Sequence, residues 1–219
     1  MTDFRRQRLA MVERQLRRRG ITDPAVLAAF AEVPREAFVP EPMANSAYED
    51  GPLAIGSGQT ISQPYIVACM IEAAGIRPTM RVLEVGTGSG YAAALLSRLA
   101  RDVFTLERHE SLAREACARI EAMGYDNCHV VVGDGTRGLP GQAPFGAILV
   151  AAGADEVPDA LMQQLAIGGR LIIPVGGAGT QQLRCVERTG NDSWASHDIA
   201  AVRFVPLLPG TVETSESKV

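Results

Sequence analysis

The segment LEVGTGSGY, residues 83–91, joins an apolar run that is typical of a strand to a stretch that is typical of a helix. Gly86, Gly88 and Gly90 permit a tight turn, and the start of the following helix offers unpaired N–H groups to a ligand. The dinucleotide pattern GxGxxG needs a glycine where Tyr91 stands, and no GK[ST] follows. Glu84 beside the turn would repel a diphosphate and suits a ligand with an ammonium group.

Strand and helix patterns alternate on both sides of this turn. Apolar runs predict strands at 81–86, 102–107, 129–134, 145–152 and 169–176, and helical patterns fall at 91–99, 111–123 and 157–166. This alternation predicts a Rossmann-like α/β fold, in which a mostly parallel sheet carries helices on both faces. Two further apolar runs, 181–188 and 198–207, predict a C-terminal antiparallel hairpin.

The N-terminal third differs from this core. Helical patterns fall at 4–19, from Pro24 to about Val33, and at 64–74, whereas 40–63 is rich in Pro, Gly, Ser and Asn without any period. A loop of that length in a compact domain is usually a lid or a binding loop. We therefore predict one compact domain with an N-terminal helical and loop region (1–78), a core with the hairpin (79–210) and a disordered tail (211–219).

Length and composition exclude several classes of protein. With 219 residues, 47% of them apolar and 21% charged, and a net charge of −4, the chain is typical of a soluble domain and not of a fibrous or disordered protein. No uncharged stretch can form a membrane-spanning helix. The basic N-terminal segment lacks the apolar region of a secretory signal, so we expect a cytoplasmic protein.

Cysteine, histidine and arginine spacing narrows the possible partners. The four cysteines form no CxxC pair and the three histidines belong to no zinc-binding pattern, so we expect reduced thiols and no metal. Arginines crowd residues 4–19, which raises RNA binding as an alternative. At an overall pI near 5.5, a solvated helix face is the preferred interpretation, and we predict no nucleic-acid or membrane partner.

Three acidic residues stand at or near the ends of successive predicted strands. Glu84 precedes the glycine turn, Glu107 ends the next strand, where an acid can accept hydrogen bonds from ribose hydroxyls, and Asp134 follows the third strand, where it can accept from an adenine amino group. Taken singly, each acid is equally well a solvated strand end or a turn former. Together they fit one ligand that has an amino acid head, a ribose and an adenine, which is S-adenosylmethionine.

The end of the fourth predicted strand bears on the acceptor. It reads AAGAD, residues 151–155, and lacks the Asn-Pro-Pro-aromatic cluster that methyltransferases acting on exocyclic amines often place there. The sequence shows no evident general base either. A carboxylate acceptor, which is already anionic at neutral pH, needs none.

From about Met11 to Leu207 the chain resembles the protein-L-isoaspartate (D-aspartate) O-methyltransferase family. The resemblance rests on AYEDGPLAIGSGQTISQPYIVACM (47–70), VPREAFVPE (33–41) and VRFVPL (202–207), which are more specific than the glycine turn. It implies an S-adenosylmethionine-dependent Rossmann-like methyltransferase fold with S-adenosylhomocysteine as the product. The implied activity is methylation of the free α-carboxylate of isoaspartyl residues, or of D-aspartyl side chains, in damaged proteins, which begins repair through a succinimide.

Site residues follow from the resemblance together with the strand-end argument. Ser62 matches the active-site serine of the family, although its position before Gln63-Pro64 also suits a helix N-cap. The predicted cofactor residues are Glu84, Gly86, Thr87, Gly88, Gly90, Glu107, Arg108, Asp134 and Gly135. The predicted substrate residues are Thr60, Ile61, Tyr65, Val205 and Leu207, with an extended substrate pairing beside Pro206. The expected partners are isoaspartyl proteins and peptides, and the expected state is a monomer.

The chain also departs from the family pattern at three places. Gly146 stands where the family usually has an acid, Gly153 and Asp155 replace an Ala-Pro pattern, and Thr136 replaces an aromatic. Alternatives are a carboxyl methyltransferase dedicated to one peptide partner, a catalytically idle S-adenosylmethionine-binding protein, and an RNA methyltransferase.

Overall fold

Helices and a small hairpin make up the N-terminal region of the computed structural model, which describes residues 3–177 and 179–213. Helix α1 (Phe4–Met11) continues through a π-helical turn, Val12–Leu16, and a 3-10 turn, Arg17–Arg19. Helix α2 (Pro24–Glu32) begins where predicted, because the Asp23 side chain accepts hydrogen bonds from the Ala25 and Val26 N–H groups. Two 3-10 turns follow, Arg35–Phe38 and Glu41–Ser46.

The predicted loop at 40–63 is not free of regular structure. It contains the antiparallel strands β1 (Leu53–Gly56) and β2 (Gln59–Ile61), which form a separate two-stranded sheet. Strands this short carry too few residues for an alternating pattern to be seen, so the sequence prediction missed them. Helix α3 (Pro64–Ala74) then follows at the predicted position and ends at Gly75.

In the described part of the chain, seven strands form the central sheet in the spatial order β5-β4-β3-β6-β7-β8-β9. Neighbours from β5 to β7 are parallel, and β8 and β9 add an antiparallel hairpin, as the sequence predicted. The strands are β3 (Arg81–Val85), β4 (Asp102–Glu107), β5 (Cys128–Val132), β6 (Phe145–Val150), β7 (Leu165–Val175), β8 (Gln181–Gly190) and β9 (Ser193–Val202). The helices between them are α4 (Tyr91–Ser97), α5 (Glu110–Ala122) and α6 (Asp159–Gln163).

Both faces of the sheet are buried. Val82 belongs to a cluster that also contains Phe30 and Phe38 of the N-terminal region, whereas Leu83 and Val85 belong to a second cluster with Phe145. Successive residues of a strand point to opposite faces, so the two clusters lie on opposite sides of the sheet. The N-terminal region thus packs on one face and shares a hydrophobic core with it.

The predicted boundaries of three elements near the C-terminus, namely α6, β7 and β9, are wrong. Helix α6 is shorter than 157–166, because β7 begins at Leu165, where it pairs with Phe145 before a bulge in the ladder. Strand β9 runs over Ser193–Val202 instead of 198–207, so the segment after Val202 leaves the sheet. Main-chain hydrogen bonds between strands decide where these elements begin and end, and the residue pattern of a single segment does not reveal them.

The predicted disordered tail begins too early. Val212 forms a parallel bridge with His109, donates its N–H to the Arg108 carbonyl at 2.7 Å and accepts a hydrogen bond from the Glu110 N–H at 3.1 Å. The last six positions of the predicted tail, 214–219, lie outside the described residues. Over 3–177 and 179–213, no helix is both long and apolar enough to cross a membrane.

Candidate active site

A cavity of about 870 Å³ lies at the carboxyl ends of β3, β4 and β6. Residues of the β1–β2 hairpin and of the segment after β9 form its other walls. Its volume falls within the range of small-molecule sites, and its place at strand ends is the usual one in open α/β sheets. Of the predicted site residues, the following line it: Thr60, Ser62, Gly86, Gly88, Glu107, Arg108, Gly135, Val205 and Leu207.

The glycine turn makes a tight bend against neighbouring strands. Gly86 has a φ of +96°, and a Cβ atom there would stand 3.3 Å from the Ala151 Cβ, so a side chain would be both strained and crowded. The Gly86 and Thr87 N–H groups donate to the Leu106 carbonyl at 2.8 and 3.1 Å. The neighbouring strand end therefore takes these two N–H groups of the turn.

Glu107 is held at the mouth of the turn by two main-chain donors. Its side chain is buried, with Oε2 accepting from the Gly88 N–H at 2.8 Å and Oε1 accepting from the His109 N–H at 3.0 Å. These bonds leave the carboxylate few orientations. Each carboxylate oxygen has a further lone pair, so Glu107 can accept hydrogen bonds from a ligand in the cavity without losing its own.

Glu84 lies beneath the turn and is not part of the cavity wall. Burial raises the pKa of Glu84 to about 8; the hydrogen bond from the Thr105 hydroxyl acts against this shift, and the Glu107 charge adds to it. The Thr105 hydroxyl donates to Glu84 Oε2 at 2.6 Å and lies 2.6 Å from the Thr87 hydroxyl. Glu84 and Thr87 therefore belong to one buried polar network, and Thr87 is also absent from the wall.

Gly90 and Asp134 stand behind the cavity as well. A Cβ atom at Gly90 would lie 3.4 Å from the Ala116 Cβ, so this glycine lets α4 and α5 approach each other. The Asp134 carboxylate accepts from the Thr136 N–H at 2.9 Å and the Thr136 hydroxyl at 2.6 Å. Partial burial acts to raise the pKa of Asp134, but hydrogen bonds from Thr136 and the Gly210 main chain hold it below its ordinary value.

Ser62 lies between β2 and α3 and lines the cavity. The N-cap of α3 is Gln63, which makes no side-chain capping bond, so the interpretation of Ser62 as an N-cap is wrong. Within the described parts of the chain, the Ser62 hydroxyl has no hydrogen-bond partner. It is therefore available to a ligand.

Two predicted substrate residues lie away from the cavity. Ile61 is buried in the hydrophobic core next to Ser62. Tyr65 packs its ring beneath the Arg19 guanidinium, 3.6 Å from the ring centroid. Both residues fix the main chain around Ser62, whereas Thr60 on the hairpin lines the cavity itself.

The segment after β9 closes the opposite side. The Val205 carbonyl accepts from the Gly153 N–H at 2.8 Å, and the Leu207 N–H donates to the Gly153 carbonyl at 2.7 Å. The buried Gln181 amide accepts from the Phe204 N–H at 2.8 Å and donates to its carbonyl at 3.2 Å. Residues 205–207 are thus hydrogen-bonded along one edge. On the other edge Pro206 offers its carbonyl as an acceptor but has no N–H to donate.

Arg108 holds the far end of the same segment. Its guanidinium donates to the carbonyls of Pro209 and Gly210, at 3.3 Å each, while the residue also lines the cavity. We name residues 203–212 the C-terminal strap. The strap runs from the cavity wall formed by Val205 and Leu207 to the end of β4. Arg108 therefore connects these two parts of the cavity.

Residues that the sequence prediction missed also line the cavity. Ala151 and Ala152 follow β6, and the rule that ligands bind at the carboxyl ends of strands would have found them. Thr180 and residues 201–204 reach the cavity only because the hairpin folds back, and no local signal predicts that. Among the described residues, no three His, Cys, Asp or Glu side chains are grouped closely enough to hold a metal ion.

Three of the four residues that depart from the family pattern have a local explanation. A side chain at Gly146 would meet Met80, whose Cγ stands 2.7 Å from the Cβ position, at the end of β6 far from the cavity. A Cβ atom at Gly153 would stand 2.3 Å from the Gln181 amide nitrogen, which holds the strap. The Thr136 hydroxyl donates a hydrogen bond to the Asp134 carboxylate. These three residues each fit a neighbour that this chain supplies, whereas nothing in the structure explains Asp155.

A parallel sheet extended by an antiparallel hairpin, with a glycine turn and an acid at successive strand ends, defines a Rossmann-like methyltransferase. The family model described as protein-L-isoaspartate(D-aspartate) O-methyltransferase (PCMT) matches residues 6–211, and the chain belongs to this family. It is 55% identical over 207 residues to the protein-L-isoaspartate O-methyltransferase 2 of Pelobacter propionicus, covering 94% of this chain and 91% of that one. Over 203 residues it is 56% identical to the Methylorubrum extorquens protein-L-isoaspartate O-methyltransferase, with coverages of 93% and 89%.

Solved structures agree with this assignment. A protein-L-isoaspartate O-methyltransferase structure superposes with a TM-score of 0.81 at 30% identity, covering 92% of this chain and 65% of that one. A Plasmodium falciparum structure, described as such an enzyme in complex with S-adenosyl-L-homocysteine, has a TM-score of 0.80 at 27% identity and coverages of 92% and 98%. The chain thus spans about two thirds of the first structure and nearly all of the second.

Proposed function

We propose that this protein transfers a methyl group from S-adenosylmethionine to the free α-carboxylate of isoaspartyl residues, or to D-aspartyl side chains, in damaged proteins. One observation carries the proposal: in a chain of this family, a single cavity brings Glu107 at the end of β4 together with Ser62 on the opposite wall. The resulting methyl ester loses methanol to form a succinimide, which water reopens in part to normal aspartate.

The cavity residues fit the cofactor. Glu107 offers lone pairs for the ribose hydroxyls, and its two main-chain donors fix their direction. At Gly88 a Cβ atom would stand 3.1 Å from the Ile55 Cδ1, so the missing side chain lets the β1–β2 hairpin pack close to the turn at the edge of the cavity. Gly135 is the wall residue next to Asp134. When bound, S-adenosylmethionine supplies a methyl group activated by its sulfonium charge.

Four predicted cofactor residues act from behind this wall. Gly90 sets the packing of α4, and Thr87 links the turn to the Glu84 network. Glu84 lies beneath the turn, and its ionised form suits an ammonium group bound there. A direct contact of Asp134 with the adenine stays a prediction, because its carboxylate already bonds to Thr136.

Ser62 orients the acceptor. A substrate carboxylate is ionised at neutral pH, so the site needs no general base, and the Ser62 hydroxyl only has to donate one hydrogen bond that fixes the direction of attack. Arg108 and the strap limit the access of water from the other side. Thr60, Val205 and Leu207 form the walls along which the peptide lies.

The strap supplies selectivity in this proposal. Val205 and Leu207 are fixed by Gly153, and the Pro206 carbonyl is the one main-chain group between them left for a substrate N–H. An isoaspartyl linkage displaces the peptide main chain by one methylene, so only one linkage places both its N–H beside Pro206 and its carboxylate beside Ser62.

The proposal includes a monomeric protein that acts in the cytoplasm on isoaspartyl proteins and peptides. The four cysteines are unpaired, which suits a reducing compartment. Sedimentation of the purified protein tests the monomer, and cell fractionation tests the location.

The decisive experiment measures the transfer of labelled methyl groups to paired peptides that differ only in an isoaspartyl or aspartyl linkage. We expect base-labile label on the isoaspartyl peptide alone. Ser62→Ala should lower kcat by about 10- to 100-fold without weakening cofactor binding, since one orienting bond is lost. Ser57→Ala, a serine of the same hairpin outside the cavity wall, is the matched control and should keep wild-type kcat. Label on both peptides, or on neither, would contradict the proposal.

A further inference from the structure

Arg35 is a buried cation without a carboxylate partner. It lies in the 3-10 turn Arg35–Phe38, its exposed fraction is 0%, and no carboxylate of the described residues forms an ion pair with it. Burial lowers the pKa of Arg35, although Tyr91 acts to raise it. An apolar side chain of similar size would fill this place without desolvating a charge. Packing alone therefore does not account for an arginine here.

Its polar contacts reach three separate parts of the chain. The Arg35 Nε donates to the Ala47 carbonyl at 2.8 Å, and Nη2 donates to the Ser62 carbonyl, also at 2.8 Å. The guanidinium carbon lies 4.9 Å from the centre of the Tyr91 ring. Among the described residues Nη1 has no hydrogen-bond partner.

Two of these contacts join the residue after the β1–β2 hairpin to the helix after the glycine turn. Ser62 directly follows the β1–β2 hairpin, and a two-stranded hairpin is only marginally stable by itself. Tyr91 is the first residue of α4 and follows the glycine turn directly. Arg35 is therefore a rigid connection between the main chain of Ser62 and the element that carries the turn.

We propose that Arg35 is a positioning residue, which acts through the Ser62 carbonyl and the Tyr91 ring to set where the Ser62 hydroxyl stands relative to the glycine turn. The inference rests on the role proposed above for Ser62. A shift of the Ser62 main chain by a fraction of an ångström leaves the cofactor pocket intact but misdirects the hydrogen bond that orients the acceptor. The effect of losing Arg35 should thus depend on the Ser62 hydroxyl.

A double-mutant cycle tests this dependence. We would measure kcat, and KM for S-adenosylmethionine and an isoaspartyl peptide, for Arg35→Met and Arg35→Lys in the wild-type and Ser62→Ala backgrounds. Arg35→Met should lower kcat about tenfold in the wild type, with less than about a twofold change in cofactor KM. In the Ser62→Ala background it should lower kcat by less than about twofold, because no hydroxyl is left to misplace.

Arg35→Lys should recover part of the loss. A lysine keeps the charge and can donate to a carbonyl, but it lacks the planar fork that reaches two carbonyls at once. If Arg35→Met does not fold, Arg35→Lys completes the same cycle.

Arg119→Met is the matched control. Arg119 also donates to a main-chain carbonyl, that of Ser89 at 2.6 Å. Its guanidinium lies 5.9 Å from the centre of the Phe38 ring, and this ring packs on Tyr91. It contacts the glycine turn and not Ser62. Its effect on kcat should therefore be the same factor in both backgrounds.

Two outcomes overturn the inference and can be told apart. If Ser62→Ala is impaired and the Arg35 substitutions lower kcat by the same factor in both backgrounds, Arg35 supports only the fold, and the role of Ser62 stands. If Ser62→Ala has wild-type kcat, the proposed role of Ser62 fails, and the inference about Arg35 fails with it.

Discussion

The two sides of the cavity are built in different ways. On the cofactor side, the glycine turn and Glu107 follow directly from parallel strands, and main-chain donors such as the Gly88 N–H fix the carboxylate. On the substrate side, the β1–β2 hairpin and the C-terminal strap lie outside the central sheet. Buried or partly buried side chains hold them there, namely Arg35 on Ser62, Gln181 on Phe204 and Arg108 on Pro209 and Gly210.

This difference separates binding of the cofactor from selection of the acceptor. A site formed by strand ends moves only if the sheet moves, whereas a segment held by single side chains can shift while the sheet stays intact. Substitutions on the cofactor side should therefore change cofactor affinity most. Substitutions of the holding side chains should change peptide KM or kcat first.

The largest effect is expected at Glu107. Glu107→Ala removes the proposed acceptor of the ribose hydrogen bonds and also leaves the Gly88 N–H unpaired, so the dissociation constant for S-adenosylhomocysteine should rise by about 100- to 1000-fold. Calorimetric titration measures this. Asp102→Ala at the opposite end of β4 is the control and should bind normally. If Glu107→Ala binds S-adenosylhomocysteine with near-normal affinity, the proposed difference between the cofactor side and the substrate side is wrong.

The next effect is a pH dependence that arises at Glu84. Its pKa of about 8 means that the carboxyl is neutral at pH 7, and a cationic cofactor nearby favours the ionised form. Binding should then release a proton, so affinity for S-adenosylmethionine should rise by up to about tenfold per pH unit toward pH 8 and level off above it. Titrations between pH 6 and 9 measure the slope. Glu84→Gln should abolish it, and a slope that persists in this variant would assign the proton to another group.

The same group gives a pH dependence of stability with a definite sign. The folded pKa of Glu84 lies above its unfolded value of about 4.3, so folding binds a proton. The contribution to the free energy of unfolding is fully present below the unfolded pKa and is lost as pH rises toward 8. Urea unfolding of the ligand-free protein should show this loss between pH 5 and 8, and Glu84→Gln should reduce it.

A smaller effect is expected on the substrate side at Gln181. Gln181→Leu removes both hydrogen bonds to Phe204, which frees the strap, so the KM for an isoaspartyl peptide should rise by about fivefold. Cofactor affinity should stay unchanged. Gln182→Leu, the exposed neighbour on the same strand, controls for the change of residue type. An equal loss of cofactor affinity in Gln181→Leu would show that the two sides are not separable.

The smallest effect is expected at Arg108, which touches both sides. Its bonds to the Pro209 and Gly210 carbonyls are long, at 3.3 Å, so Arg108→Met should raise peptide KM only about threefold. Amide hydrogen exchange at Val212 should become faster, because the strap end loosens. Arg114→Met on the surface of α5 is the control. Unchanged exchange at Val212 would show that Arg108 does not hold the strap.

The cofactor side was largely predictable from sequence, and the substrate side was not. Gly86, Gly88 and Glu107 could be placed at one sheet edge because strand alternation and strand ends are local signals. The resemblance drew attention to Ser62, Val205 and Leu207, and the structure places all three on the cavity. Ile61 and Tyr65 came from the same segment, but side-chain direction over a short hairpin cannot be read from residue type.

The sequence by itself determined the parallel sheet, the position of the glycine turn and the acids at the strand ends, because apolar periodicity and glycine placement act over a few residues. Only the tertiary structure decided which of these groups meet the cavity. Glu84 and Asp134 have the right type and spacing, yet hydrogen bonds to Thr105 and Thr136 place them behind the wall. Contacts between distant segments, such as Arg35 with Ser62, depend on how layers pack, and no local pattern encodes that.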